Sequence, residues 1–159
     1  MENVRFLLEE ANKLINRADH LLYITYPLVK DNKIIINIAE NINSGVITAM
    51  EALLAYDKLY KRIPPYSNDF TIKFEMFKSK VVPRYNIERE YVVLISDLKN
   101  FMDNRKKSGT EFVKEDKFVI FRQNKVDTLS FDKIKQNLNS SKGFLSRVNR
   151  ILGNVRARF

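Results

Sequence analysis

The sequence predicts a mainly α-helical fold, an antiparallel bundle of four to five helices with a short β-hairpin inserted before the last helix. Apolar side chains recur three and four residues apart in several long segments, which is the period of a helix buried on one side. One later segment is rich in β-branched and aromatic residues around a polar pair. Because the connections are short and no repeat or linker divides the chain, we expect residues 1–159 to form a single domain.

The first helix is predicted over residues 2–26, where an apolar stripe is almost unbroken. The stripe consists of Val4, Leu7, Leu8, Ala11, Leu14, Ile15, Ala18, Leu21 and Leu22. Pro27 has no backbone N–H and clashes with the preceding turn, so we expect the helix to end or bend there. The polar segment Lys30-Asp31-Asn32 then predicts a tight reversal.

A second long helix is predicted over residues 33–60, antiparallel to the first. Its core positions are Ile35, Ile38, Ala39, Ile42, Val46, Ala49, Met50, Leu53 and Leu54. Pro64-Pro65 ends the helical pattern, because the residue before a proline is biased away from the helical region.

The next segment, residues 70–81, is predicted to be a short helix that ends at Pro83. Its apolar residues also alternate like those of a strand from Phe70 to Met76, but the helical spacing extends further along the chain. A third long helix is predicted over residues 87–106, with Ser108-Gly109 as its end.

Residues 117–129 predict a two-stranded hairpin around the polar pair Gln123-Asn124. Ser130 is expected to cap the final helix, because a serine hydroxyl accepts a hydrogen bond from the first turn. The core face of that helix is Phe131, Ile134, Leu138, Ser141, Leu145, Val148 and Leu152. Gly153 is its predicted end.

The positive charge is concentrated in the second part of the chain. Formal net charge is +9, yet residues 1–66 hold eight basic and eight acidic side chains. The C-terminal helix and tail, residues 130–159, carry seven cations from Lys133 onward and no Asp or Glu beyond that point. Such a segment attracts phosphate-rich or acidic partners. A solvated lysine-rich surface would carry the same charge, and this alternative stays open.

Composition narrows the class of protein. The chain has no cysteine, which excludes disulfides, thiolate metal sites and cysteine nucleophiles. The N-terminus carries acids where a signal peptide carries bases, and the apolar runs are far shorter than the roughly 20 residues of a membrane span. We therefore expect a cytoplasmic protein with no membrane partner.

The last helix, its tail and the hairpin supply the candidate ligand-binding residues. Near the hairpin, cations surround Phe112, Phe118 and Phe121, a mixture that suits single-stranded nucleic acid. Core phenylalanines under a solvated ribbon would give the same pattern. The predicted nucleic-acid-binding residues are Lys135, Lys142, Arg147, Arg150, Arg156, Arg158, Arg122 and Lys125. By contrast, five tyrosines are predicted to lie at the edge of the core: Tyr23, Tyr26, Tyr56, Tyr60 and Tyr66.

No catalytic residue, metal site or cofactor is predicted. His20 is the only histidine, and its neighbour Asp19 points about 100° away around a helix. The Glu-x-x-His pairs of di-iron bundles, a glycine-rich phosphate loop and the common hydrolase motifs do not occur. An RNA-processing nuclease with an unfamiliar Arg, Asp and Tyr site is kept as an alternative, and it predicts turnover that a mutation of Arg17, Asp19 or His20 abolishes.

The order of two long helices, a short helix, a third long helix and a basic last helix resembles the HEPN superfamily of small helical-bundle proteins. The segment with Ala39 and then Ala49 to Leu54 is similar to the alanine-rich second helix of many members. The resemblance implies a prokaryotic protein, commonly a dimer, that is an RNA-cleaving toxin or a nonenzymatic partner of a nucleotidyltransferase. Active members carry a histidine four to six residues after an arginine. Arg17 is only three residues before His20, so the resemblance implies a noncatalytic member.

The leading functional prediction is a noncatalytic module that binds RNA or an acidic protein through its basic C-terminal face. The alternatives are an RNA-processing nuclease or toxin–antitoxin-type HEPN protein, and a structural homodimer.

Overall fold

The computed structural model describes residues 1–108, 110–114, 117–122 and 125–156. The helices within these ranges are α1 (Glu2–His20), α2 (Tyr26–Val29), α3 (Lys33–Leu59), α4 (Phe70–Met76), α5 (Val82–Tyr85), α6 (Arg89–Lys107) and α7 (Phe131–Arg156). Two five-residue π-helical segments, Leu21–Thr25 and Phe77–Val81, join α1 to α2 and α4 to α5. The strands are β1 (Thr110–Lys114), β2 (Lys117–Arg122) and β3 (Lys125–Ser130). The mainly helical fold with strands before the last helix is confirmed.

The pair α1 and α3 forms the centre of the bundle. Small residues allow the two helices to approach closely: Ala11 and Ala18 are fully buried, and a Cβ atom added at Gly45 would lie 2.5 Å from Cδ1 of Ile15. The start of α1 lies beside the end of α3, where Val4 and Leu59 line the same surface depression. The two helices are therefore antiparallel, as predicted.

The two prolines that lie within helices, Pro27 and Pro83, each follow a π-helical segment. Tyr26 N–H bonds to the carbonyl of Leu21, five residues back, and Pro27 follows in the first turn of α2. The wider π turn makes room for a ring that clashes with the carbonyl four residues back in a regular helix. The first helical segment therefore passes through Pro27 and continues to Val29.

The same arrangement corrects the prediction that the short helix ends at Pro83. After the π-helical segment Phe77–Val81, Val82 N–H bonds to the carbonyl of Phe77, and α5 runs through Pro83 to Tyr85. Each proline-containing turn ends at a residue with positive φ, Lys30 at 54° and Asn86 at 50°. The positive φ stops the helix three residues after the proline.

The core is completed by α7, which packs against α3, α6 and the α4–α5 segment. Phe144 is fully buried. Its ring contacts Phe77 with centroids 6.3 Å apart and Tyr91 with centroids 5.5 Å apart. These contacts bring α7 together with α6 and the second π-helical segment. Across the parts of the chain that the structure describes, no helix combines the length and hydropathy that crossing a membrane requires.

The strands form an antiparallel sheet in the order β1-β2-β3. The predicted hairpin corresponds to β2 and β3, which pair from Arg122↔Lys125 to Lys117↔Ser130. A further strand, β1, pairs with β2, with Phe112 opposite Val119, and the sequence analysis did not predict it. One face of the sheet packs on α6 through Phe118, whose ring lies 6.2 Å from that of Phe101.

The boundaries of α7 confirm one prediction and correct another. Ser130 Oγ accepts a hydrogen bond from Lys133 N–H at 3.1 Å, as expected for an N-cap. Gly153 does not end the helix, which continues to Arg156. Glycine lowers helix stability by only about 1 kcal/mol, and nothing lies within 4 Å of a Cβ added at Gly153, so the helix passes through this position.

Candidate nucleic-acid interface

An open groove lies between the end of the first helical segment, around Pro27, and the start of α7. Its volume is 590 Å³. The residues that line it are Leu22, Tyr23, Tyr26, Pro27, Lys30, Asn32, Phe131 and Lys135. We call this feature the aromatic groove. The residues around Pro27 form one wall of the groove, and the first turns of α7 form the other.

Aromatic rings form much of the groove surface. Tyr26 and Phe131 are stacked, with ring centroids 4.9 Å apart and an interplanar angle of 30°. Tyr23 lies one turn before Tyr26 and is 46% exposed. A planar ligand therefore has ring surface available at Tyr23 beside a pair of stacked rings.

Cations from α7 lie directly over these rings. Lys135 Nζ is 4.8 Å from the ring centroid of Phe131, and Lys142 Nζ is 5.6 Å from that of Tyr23. Lys142 also donates to Asp19 Oδ1. Lys30, in the left-handed turn, adds a third cation, and none of the eight lining residues is acidic. Two of the predicted binding residues, Lys135 and Lys142, are thus brought together with aromatic rings.

Arg147 points to a different side of α7 and holds the bundle together there. Its Nη2 group donates to the carbonyl oxygens of Tyr85 at 2.6 Å and Asn86 at 3.3 Å. Its Nε group donates to Glu88 at 3.3 Å. Arg147 therefore caps the C-terminal end of α5, and these donors are occupied by acceptors from the protein.

Arg150 and Lys125 are not among the residues that line the groove. Arg150 is exposed on the outer side of α7, and Lys125 is exposed at the start of β3. Arg156 ends α7 and Arg122 ends β2. Arg158 lies outside the described residues. The basic residues of the C-terminal half do not all share one face, because the helical period distributes them around α7.

The five tyrosines that the sequence analysis grouped together separate into two sets. Tyr23 and Tyr26 line the aromatic groove. At the opposite end of the bundle, Tyr56 and Tyr60 form an edge-on pair with centroids 4.9 Å apart, and Tyr66 lines the depression between the start of α1 and the end of α3. The proximity of Tyr23, Tyr26 and Lys30 in the sequence is a signal that could have indicated the groove, whereas the stacking of Phe131 on Tyr26 depends on tertiary structure.

The phenylalanines of the sheet lie on two different faces. Phe118 is buried, as expected for a core residue, whereas Phe112 and Phe121 are 40% and 42% exposed. The exposed pair is stacked, with centroids 5.7 Å apart and an interplanar angle of 29°. The alternation of side chains along a strand decides which phenylalanine is available to a ligand.

A buried charge cluster that the sequence analysis missed joins α3 to α5. Asp57 is fully buried. Its carboxylate accepts from Tyr85 Oη at 2.5 Å, from Arg84 Nη1 at 2.8 Å and from Arg62 Nη1 at 3.4 Å. Burial, followed by the hydrogen bond to Asp57, raises the pKa of Tyr85 well above that of a free tyrosine. The partners are far from Asp57 in sequence or lie in a loop, so no local pattern indicates the cluster.

The residues considered for catalysis, Arg17, Asp19 and His20, lie in the last turn of α1. His20 is exposed, and its Nδ1 atom lies 3.5 Å from Thr25 Oγ1. Asp19 is paired with Lys142. Among the described residues, no three His, Asp or Glu side chains lie close enough together to hold a metal ion.

Comparisons with known proteins identify no match to this chain. No protein-family model, no curated protein and no solved structure matches this chain. The resemblance to HEPN proteins therefore stays a prediction.

Proposed function

We propose that this protein is a noncatalytic module that binds single-stranded RNA in the aromatic groove. The observation that carries the proposal is the position of two α7 lysines over the rings of the groove, Lys135 over Phe131 and Lys142 over Tyr23. A single strand presents just this pair of chemistries, a planar base and an anionic phosphate, at each nucleotide.

The exposed ring of Tyr23 favours RNA over an acidic protein as the partner. Acidic side chains would pair with the lysines but would leave the ring surface unused, whereas unstacked bases use both. Duplexes keep their bases stacked inside the helix, so the groove discriminates against them. Its volume of 590 Å³ lies within the range of about 300–1,000 Å³ that is typical of small-ligand pockets.

The test is fluorescence anisotropy of labelled single-stranded RNA, duplex RNA and duplex DNA at salt concentrations from about 50 to 200 mM. We expect the single strand to bind best. The double variant Lys135→Gln and Lys142→Gln should bind roughly tenfold more weakly. Its salt dependence should also be shallower by about 1.4, at about 0.7 per lost phosphate contact.

The matched control removes one charge elsewhere and is compared with the single variants Lys135→Gln and Lys142→Gln. Lys80 is exposed on the second π-helical segment, outside the residues that line the aromatic groove, so Lys80→Gln should bind RNA as the wild type does. Equal losses in Lys80→Gln and in the groove variants would show attraction by net charge alone. Absence of RNA binding at about 50 mM salt would contradict the proposal and favour an acidic protein partner or a homodimer.

A further inference from the structure

The outer face of the sheet carries two stacked, partly exposed aromatic rings. In the strand register, the described side chains of this face are Phe112, Lys114, Lys117, Val119, Phe121, Val126, Thr128 and Ser130, of which Val119 is buried. The opposite face holds Phe118 and Ile120, which are buried in the core. On the outer face the stacked pair Phe112 and Phe121 is about 40% exposed, and the neighbouring Val126 is 53% exposed.

Two lysines carry positive charge on this face. Lys114 and Lys117 lie directly opposite each other in the pairing of β1 with β2, and both are exposed. Like charges in opposite positions destabilise a sheet unless an anion lies between them. None of the outer-face residues is acidic. The acidic residues of β1 and β3, Glu111 and Asp127, lie on the inner face of the sheet. Glu111 accepts a hydrogen bond from Arg105, and Asp127 accepts one from Asn104.

The sheet surface is continuous with the aromatic groove. A second open depression is lined by Lys30, Asp31, Asn32, Lys33, Glu111, Phe112, Val113 and Phe118. It shares Lys30 and Asn32 with the aromatic groove, and it reaches Phe112 at the edge of the sheet. The lysines Lys30 and Lys33 therefore lie along the path between the two sets of rings, together with the acids Asp31 and Glu111.

We propose that the RNA strand leaves the aromatic groove past Lys30 and Lys33 and stacks further bases on Phe112 and Phe121. This inference rests on the proposed function and specifies its ligand as a single strand long enough to reach both surfaces. Three exposed side chains supply only roughly 250 Å² of apolar surface. That area suits one or two bases and is well below the roughly 800 Å² per partner of a stable protein interface.

A single tryptophan tests this path directly, because the chain contains no tryptophan of its own. In Phe121→Trp the indole replaces an exposed ring, and a base stacked on it quenches its fluorescence. We expect strong quenching by an oligouridylate of about 12 nucleotides and little quenching by one of about 4, which the groove alone can hold. The control is Phe6→Trp on α1, whose parent ring is 62% exposed and should stay unquenched.

An affinity measurement distinguishes this inference from the proposed function. The double variant Phe112→Ala and Phe121→Ala should bind the long oligonucleotide at least tenfold more weakly and the short one unchanged. The groove variant should weaken both. If the short and long strands bind the sheet variant as they bind the wild type, and Phe121→Trp is not quenched, the inference is wrong while the groove proposal stands. If no RNA binds, both are wrong, and loss of a dimer in the sheet variant would identify a second copy as the occupant.

Discussion

At the scale of single residues, Asp57 is the position with the most constrained chemistry. A buried carboxylate is costly unless it is paired and its lone pairs accept hydrogen bonds. Asp57 meets this requirement with a tyrosine and two arginines. Arg62 in turn lies over the rings of Tyr56 and Tyr60, 5.3 and 5.2 Å from their centroids. The cluster ties the loop after α3 to the end of α5.

Tyr85 connects this cluster to the pH dependence of stability. Its raised pKa means that the folded protein holds the phenol proton more tightly than the unfolded chain does. The stabilising contribution is therefore complete below about pH 10, the usual pKa of tyrosine, and is lost as the pH rises above it. Burial also raises the pKa of Tyr66 and Tyr91. These two residues therefore contribute to the same loss of stability at high pH.

We predict that the urea midpoint of the wild type falls as the pH rises above about 10 and that the midpoint of Tyr85→Phe falls less. The substitution removes the group whose proton affinity changes on folding. It should also lower stability by about 1–3 kcal/mol at neutral pH, because Asp57 loses a buried donor. Urea unfolding followed by circular dichroism at each pH measures both effects.

Tyr23→Phe is the control for this prediction, because its hydroxyl belongs to a half-exposed ring in the aromatic groove. Its pH profile should follow that of the wild type. Parallel profiles for wild type and Tyr85→Phe would show that Tyr85 does not contribute to the alkaline loss of stability.

At the scale of elements, the two π-helical segments explain how prolines occur inside helical stretches. Each segment widens the backbone just before an X-Pro step. The first also forms part of the candidate site, where Tyr23 and Tyr26 lie beside the start of α7.

Two glycines of α7 provide a matched test of how that helix packs. A Cβ atom at Gly143 would lie 2.5 Å from Tyr91 Oη, whereas nothing lies within 4 Å of one at Gly153. We predict that Gly143→Ala lowers the free energy of unfolding by about 1–3 kcal/mol, because Tyr91 must shift. Gly153→Ala should raise it by about 0.5–1 kcal/mol, because alanine favours the helix.

Denaturant midpoints of the two variants test these stability changes. The comparison is direct because both substitutions make the same chemical change in one helix. A gain in stability from Gly143→Ala would mean that the ring of Tyr91 moves without cost. A loss from Gly153→Ala would mean that α7 is not helical at that position.

At the scale of the whole molecule, the net charge of +9 and the local site act over different distances. Lys135 and Arg156 are 21 residues apart on α7, which corresponds to roughly 32 Å at 1.5 Å per residue. Charges are screened beyond about 8–10 Å at physiological ionic strength. The end of α7 therefore contributes to the general attraction of anions but not to contacts inside the aromatic groove.

We predict that deletion of residues 154–159 changes the affinity for a short oligonucleotide by less than about twofold at 0.15 M salt. The effect should grow as the salt concentration is lowered, because screening weakens. Anisotropy titrations at two salt concentrations measure it. A large loss of affinity at 0.15 M salt would place the binding surface on the tail instead of the groove.

Much of the fold could be predicted from the order of residues alone. Periodic apolar side chains identified α3 to within a residue of its ends, and the Ser130 hydroxyl identified the start of α7. These features depend on neighbours within one or two turns. The ends at Pro83 and Gly153 were predicted wrongly, because a π turn and the packing of a long helix outweighed the usual preference of each residue. Strand β1 was missed because it depends on pairing with β2.

The candidate site was accessible to sequence reasoning only in part. That reasoning could identify the basic C-terminal half and the mixture of lysines with aromatic rings, since charge and composition are properties of the chain itself. Which cations meet rings was decided by tertiary structure: Lys135 and Lys142 lie over the groove, while Arg147 caps α5. The Asp57 cluster and the exposure of Phe112 and Phe121 were decided in the same way. The physical reason is that local periodicity determines which side of an element is buried, whereas contacts between residues far apart in sequence arise only when the elements pack together.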